Sequence, residues 1–168
     1  MAKTLSSRLT LEQLRAVVAA NPFNCWLQLS VERLTDLEVE LRVPGRPQFI
    51  GTQALKRIHG GVISSLIDAG CGYAVLAATG HSVSTINLHT DFHRAASLGE
   101  LRITGHLLHQ GGRVCSAEAF IHDAEGTLLA SGRGTFYKAK NPHPALSASD
   151  RQASTGEPIE NELEIPDA

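Results

Sequence analysis

Along most of this chain apolar residues recur with one of two periods, and one segment stands apart. Between His59 and Gly80, Ile63, Leu66, Ile67, Gly70, Ala74 and Ala77 recur three and four residues apart, the spacing of one face of an α-helix. Gly80 is a stop signal, so a helix is expected from about residue 61 to 79. Its remaining positions are mostly small or aliphatic, which predicts burial. Asp68 is the lone carboxylate in this apolar segment, where an unpaired charge is costly unless something polar meets it. Two readings stand at this point: a wet helix face, or a functional acid.

Before this segment, Thr10 can cap a helix with Gln13 reaching back, and Leu11, Leu14, Val17 and Val18 form its apolar stripe. Asn21-Pro22 ends it. Cys25, Leu27, Leu29 and Val31 then alternate with more polar neighbours, and Leu37, Val39, Leu41 and Val43 alternate with Glu38, Glu40 and Arg42. This predicts two half-buried strands joined as a hairpin. Pro44-Gly45 breaks the second, and Arg46 to Ile58 reads as a loop.

After Gly80 the period falls to two. Ile86, Leu88, Thr90 and Phe92 alternate with Asn87, His89, Asp91 and His93 in a strand beginning near Val83. Three strands follow: Leu101 to His109, Arg113 to His122 after Gln110-Gly111-Gly112, and Thr127 to Lys138 after Asp123-Ala124-Glu125-Gly126. The sum is an α+β architecture, one buried helix against a meander of antiparallel strands. From Asn141 the chain turns rich in Pro, Ser and acidic residues, and disorder is expected there. The divisions are a helical segment over 1–21, the main domain over 22–140 and the tail over 141–168.

Composition narrows the picture. With 168 residues, 42% hydrophobic, and a net charge of -2, the chain fits one soluble domain, and nothing in the balance calls for nucleic acid or a membrane. The N-terminus shows no cleavable apolar leader, so the cytoplasm is the expected compartment. Cys25, Cys71 and Cys115 are widely separated in apolar contexts and read as reduced packing residues, with neither disulfide nor metal site expected. His89 and His93 would stand ~13 Å apart along a strand, too far to share an ion.

His59-Gly60-Gly61 enters the long helix, so backbone N–H groups there face outward from a partly positive helix end. Such donors can polarise a thioester or ester carbonyl; the plainer reading is that the glycines make a turn. Asp68 lies eight residues beyond Gly60, roughly 12 Å along the same helix. One chain cannot apply both to one carbonyl. If they act together, a second copy of the helix must supply the acid across a two-fold axis. Thr85 could position a water, while Arg94, Arg113 and Lys138 near strand ends could meet phosphates.

These residues carry a family resemblance. His59-Gly60-Gly61 followed by Asp68, then the strand Thr85 to Ala96, with Pro22-Phe23-Asn24 and Phe49-Ile50-Gly51 upstream, resembles the hotdog-fold acyl-CoA thioesterases. Within them the branch of phenylacetyl-CoA and 4-hydroxybenzoyl-CoA thioesterases is most similar, over Pro22 to Tyr137. The resemblance implies a long central helix wrapped by a sheet of five or six strands. It also implies a homodimer with sites between protomers, commonly doubled to a dimer of dimers, and no cofactor. Asp68 would be general base or nucleophile, Gly60 and Gly61 would donate to the thioester carbonyl, and Thr85 would help hold the water. Gln53, or Thr52 one residue earlier, would assist, and His59 would cap or orient. Arg94, Gly112 and Arg113 would meet the CoA, although Ala95 stands where the family often has Pro. The expected substrate is a medium- or long-chain or aromatic acyl-CoA, with pocket length set by Tyr73, Leu76, Phe49 and Phe92. The rival readings on the same fold are a non-catalytic acyl-CoA-binding protein and an acyl-thioester dehydratase or hydratase.

Overall fold

Gly80 closes the long helix where the periodicity predicts: it caps α3 (Gly60–Thr79) in the left-handed conformation, φ 72°. The computed structural model describes residues 9–36, 38–144 and 146, so Leu37 and the expected tail over 147–168 lie outside the described residues. Thr10 caps α1 (Leu11–Ala20) through the reciprocal bonds with Gln13 that its sequence predicts. After α1 come α2 (Pro22–Leu27), β1 (Ser30–Leu34) and β2 (Glu38–Val43). A short hairpin of β3 (Ile50–Thr52) and β4 (Arg57–Ile58) precedes α3, and β5 (His81–Phe92), β6 (Leu101–Gln110), β7 (Val114–Asp123) and β8 (Leu128–Pro142) follow it.

Six of the strands form one antiparallel sheet in the order β1-β2-β6-β7-β8-β5, and α3 packs against it. This is the hotdog arrangement. Leu66, Ile67, Cys71 and Val75 of α3 share one buried core with Val39, Leu41, Ile103, Ala117, Ala119, Ile121 and Phe136 of the sheet. By length and composition α3 could cross a membrane; here its apolar face is covered by strands. Leu14 and Val18 of α1 are buried in the same core, and the Leu9 N–H donates to the carbonyl of Ala77. The N-terminal helix is thus fastened to α3.

Helix and sheet approach closely through two glycines. A Cβ at Gly105 would stand 2.1 Å from the Gly70 carbonyl oxygen, and one at Gly70 would stand 2.8 Å from Ile103 Cγ2 and 2.9 Å from Ala119 Cβ. No real side chain fits there.

Four expectations need correction. The strand expected over Cys25 to Val31 is helix as far as Leu27, because Asn21 accepts the N–H groups of Phe23 and Asn24 and Pro22 occupies the first turn; together these start a helix. The strand begins at Ser30. The loop before α3 carries the β3–β4 hairpin and two short 3-10 turns, tied to the helix entrance by the His59 N–H donating to Phe49 O at 2.8 Å. Finally, β5 does not bury its apolar set: Ile86 is 55% and Phe92 58% exposed. β5 is a sheet edge, and a bulge between Thr85 and Asn87 shifts its register. Of the tail expected from Asn141, the first two residues are strand, since β8 runs through Pro142.

Replacing Gly70 by Ala adds a methyl group where Ile103 and Ala119 leave no room. Urea unfolding should show a loss of about 1–3 kcal/mol from overpacking, despite the better helix propensity of Ala.

Candidate active site

The entrance to α3 is built by His59. It sits at the N-cap in extended conformation, and its Nδ1 accepts the Gly61 N–H at 2.9 Å. One of the two expected carbonyl donors is therefore already engaged. Val62 and Ile63 N–H groups close onto the His59 carbonyl, which leaves Gly60 N–H as the outward donor of this turn. Gly60 borders a cleft of about 300 Å³ with Phe92, Arg94 and Ala96, whereas the Gly61 N–H of the expected donor pair is turned to the His59 ring. His59 is the capping residue that the sequence suggests. Nδ1 accepts in this geometry, so the ring's proton is on Nε2.

Asp68 is half-buried in the middle of α3, and Thr85 Oγ1 donates to its Oδ1 at 2.8 Å. The carboxylate is therefore neither stranded nor simply wet. It borders a cleft of about 590 Å³ between α3, the start of β5 and the two N-terminal helices. One stripe of α3 supplies a wall: Ser65, Asp68, Ala69, Gly72, Tyr73 and Leu76. Val17, Ala20, Phe23 and Asn24 face them, and Val83, Phe136 and His143 complete the lining. Asn24 is buried and donates to the Tyr73 hydroxyl and to Val18 O, which satisfies the polar groups of this apolar wall. Burial, with the Asp68 charge adding to it, pushes the Cys71 thiol up to about 12. Burial also raises the Tyr73 phenol; the Asn24 hydrogen bond opposes that shift and Asp68 reinforces it.

The other expected site residues fall into two groups. Arg94 donates to Leu128 O at 3.0 Å and lies at the Gly60 end. Gln53 and Thr52 are exposed in the segment leading to that end, Gln53 opening a 3-10 turn. Gly112 and Arg113 form the β6–β7 turn, where Arg113 Nη1 donates to the Tyr137 hydroxyl at 2.6 Å. Tyr137 pairs with Ser84, so Arg113 belongs to the Asp68 end. Within one chain the structure unites Asp68 with Thr85 and Gly60 with His59 and Arg94, and it keeps the two groups apart. Of the residues expected to set pocket length, Tyr73 and Leu76 line the Asp68 cleft. Phe92 lines the other one, and Phe49 is fully buried beside Trp26. His89 bonds Asp91 at 3.1 Å on the exposed edge.

The sequence reading missed Ser65, Gly72, Asn24 and His143 as cleft residues. Ser65 and Gly72 were findable, because they stand three before and four after Asp68 and share its helix face. The walls from α1, α2 and the segment after β8 follow only from tertiary packing.

Comparison with known proteins places this geometry. The family model described as the thioesterase superfamily matches residues 55–130, and a solved thioesterase-superfamily protein is 38% identical, with TM-score 0.74, covering 77% of this chain and 98% of that one. The chain belongs to the thioesterase superfamily. Its reaction class is thioester hydrolysis. The medium/long-chain acyl-CoA thioesterase YigI of Escherichia coli (strain K12) is 28% identical over 152 residues, 79% of this chain and 98% of that relative. The Escherichia coli PaaI protein, from the phenylacetic acid degradation operon, shares the fold at 19% identity and TM-score 0.71, over 78% of this chain and 94% of that one. In this thioesterase-superfamily chain, the model's match spans the entrance of α3, Asp68 and Thr85 together.

Cys25 is exposed while Cys71 and Cys115 are buried, and burial raises the pKa of both inner thiols. A disulfide-exchange dye at pH 8 should count one thiol in the native protein and three in denaturant. Because Cys71 is raised from 9.0 to about 12 on folding, the unfolded chain binds fewer protons between those values. Unfolding free energy should therefore fall as pH rises from about 9 toward 12, with Cys71→Ala flattening that slope.

Proposed function

We propose that this chain hydrolyses medium- to long-chain acyl-CoA thioesters as a homodimer, with Asp68 of one protomer and Gly60 of the other completing each site. The observation that carries the reading is the division of the machinery along β5. Thr85 holds Asp68 near one end, and the Phe92 ring lies 3.5 Å from where a Gly60 Cβ would stand at the other. β5 is a twelve-residue edge strand with neither Lys nor Pro, and past its bulge at Thr85–Asn87 the ladder from Asn87 to Phe92 is regular and open to another strand. Antiparallel pairing of β5 with its own copy, centred near Leu88, would set Thr85 opposite Phe92 of the partner subunit. That brings each Asp68 to the other chain's Gly60. It would also cover Ile86 and Phe92. The Asp68 cleft is lined mainly by apolar groups and suits an acyl chain, in keeping with the chain-length class named for the YigI relatives.

The chemistry follows from the two halves. Gly60 N–H, assisted by the Gln53 amide, polarises the thioester carbonyl. Asp68 takes a proton from water as the water oxygen attacks the acyl carbon, and Thr85 keeps the carboxylate aimed. The C–S bond then breaks, releasing the fatty acid and a CoA thiolate that takes up the proton. Arg94 and Arg113 at the rims meet the CoA phosphates.

Asp68→Ala should lower kcat by about 10²- to 10⁴-fold in a CoA-release assay. Gly60→Pro should do similar damage while leaving the helix intact, because Pro is favoured at the first helical position and lacks only the N–H. The extended backbone at His59, φ -65° and ψ 135°, already suits a residue before Pro. Mixing the two inactive variants and reassembling them should restore about a quarter of wild-type activity, since half of the random dimers carry one intact site. No recovery from a mixture shown to exchange subunits would refute the shared site.

A further inference from the structure

Two glycines lie two residues apart in the middle of α3, and the structure demands only one of them. A Cβ at Gly70 would collide with Ile103 and Ala119 at 2.8 and 2.9 Å. A Cβ at Gly72 would meet Phe136 Cε1 at 3.6 Å and Val83 Cγ2 at 3.9 Å, ordinary contact distances. Glycine in a helix interior is unfavourable relative to alanine, and at Gly72 neither packing nor backbone conformation compensates. What its missing side chain leaves open is the Asp68 cleft, which Gly72, Phe136 and Val83 all line.

The stripe of α3 that walls the cleft gives the direction. Gly72 lies one turn past Asp68 and Leu76 two turns past it, about 6 and 12 Å along the helix axis. An extended acyl chain advances by about 1.3 Å per bond, given C–C bonds of about 1.5 Å. With its carbonyl at Asp68, a four-carbon chain ends before Gly72. A chain of about ten carbons passes Gly72 and reaches Leu76.

We propose that Gly72 is the chain-length determinant of this enzyme: its absent side chain opens the cleft between α3, β5 and β8, so that acyl chains of about eight to twelve carbons extend along α3 past it. This deepens the acyl-CoA reading and rests on it for the position of the carbonyl. The residue acts on specificity alone, with no part in bond breaking.

The test compares wild type with Gly72→Leu and Gly72→Ala on butanoyl-CoA and decanoyl-CoA, with a parallel measurement of thermal stabilisation by decanoate. Gly72→Leu is expected to lower the decanoyl-to-butanoyl ratio of kcat/KM at least tenfold, mainly through KM, and to abolish the melting-temperature rise that decanoate gives the wild type. Gly72→Ala is expected to melt at or above the wild-type temperature and to shift the ratio in the same direction by less. An unchanged ratio in a folded Gly72→Leu protein, or a lower melting temperature for Gly72→Ala, overturns the inference and leaves hydrolysis standing. If the wild type hydrolyses no acyl-CoA, the hydrolysis reading fails by itself. The decanoate arm then decides this inference: stabilisation lost in Gly72→Leu supports it, and stabilisation unchanged or absent in the wild type overturns it.

Discussion

The fold depends on how near α3 lies to the sheet. At the crossing, the Gly70 carbonyl stands where a Gly105 side chain would be, and the Gly70 position itself is walled by Ile103 and Ala119. Two missing side chains let the helix settle against the centre of the sheet, so Leu66, Ile67, Cys71 and Val75 are removed from solvent almost completely. At roughly 25 cal/mol per Å² of apolar surface, burial along this line is the main stabilising contribution, and larger residues would lift the helix off the whole of it. Everything functional about α3 follows from its being held this tightly along its length.

Once fixed, the helix offers chemistry at two places that cannot meet. At its start the Gly61 N–H turns back to the His59 ring, so the turn caps itself and leaves one outward donor. In its middle the acid is held by a hydroxyl from β5. The same strand touches both places, Thr85 beside the acid and Phe92 beside Gly60, and it lies at an edge of the sheet. A rigid helix and one long edge strand thus divide a site in a way that two-fold pairing would complete.

The acyl-sized cleft has a different origin. Its walls come from α1, α2, α3, β5, β8 and His143, elements remote in sequence that gather because the N-terminal helices pack on the far end of α3. The buried Asn24 to Tyr73 hydrogen bond fastens α2 to α3 at this wall. It serves the pocket as much as the fold, since an unsatisfied buried amide there would be costly.

By itself the sequence determined the elements with clean periodicity and the residues whose roles are local. The 3.6-residue period and Gly80 placed α3 to within a residue or two, alternation placed β2, the turns Gln110-Gly111-Gly112 and Asp123-Ala124-Glu125-Gly126 separated β6, β7 and β8, and Thr10 with Gln13 marked the first cap, because these signals act within a few residues of chain. The eight-residue separation of Gly60 and Asp68 was legible for the same reason, as helix rise alone keeps them apart. Tertiary structure decided the rest. Alternation over Cys25 to Val31 lost to the Asn21-Pro22 helix start, and the apolar positions of β5 stayed exposed because no neighbouring strand follows it. Thr85 reached Asp68, the Gly61 donor went to His59, and Phe49 entered the core while Tyr73 lined the cleft. Each of these depends on distances between segments far apart in the chain, which periodicity does not encode.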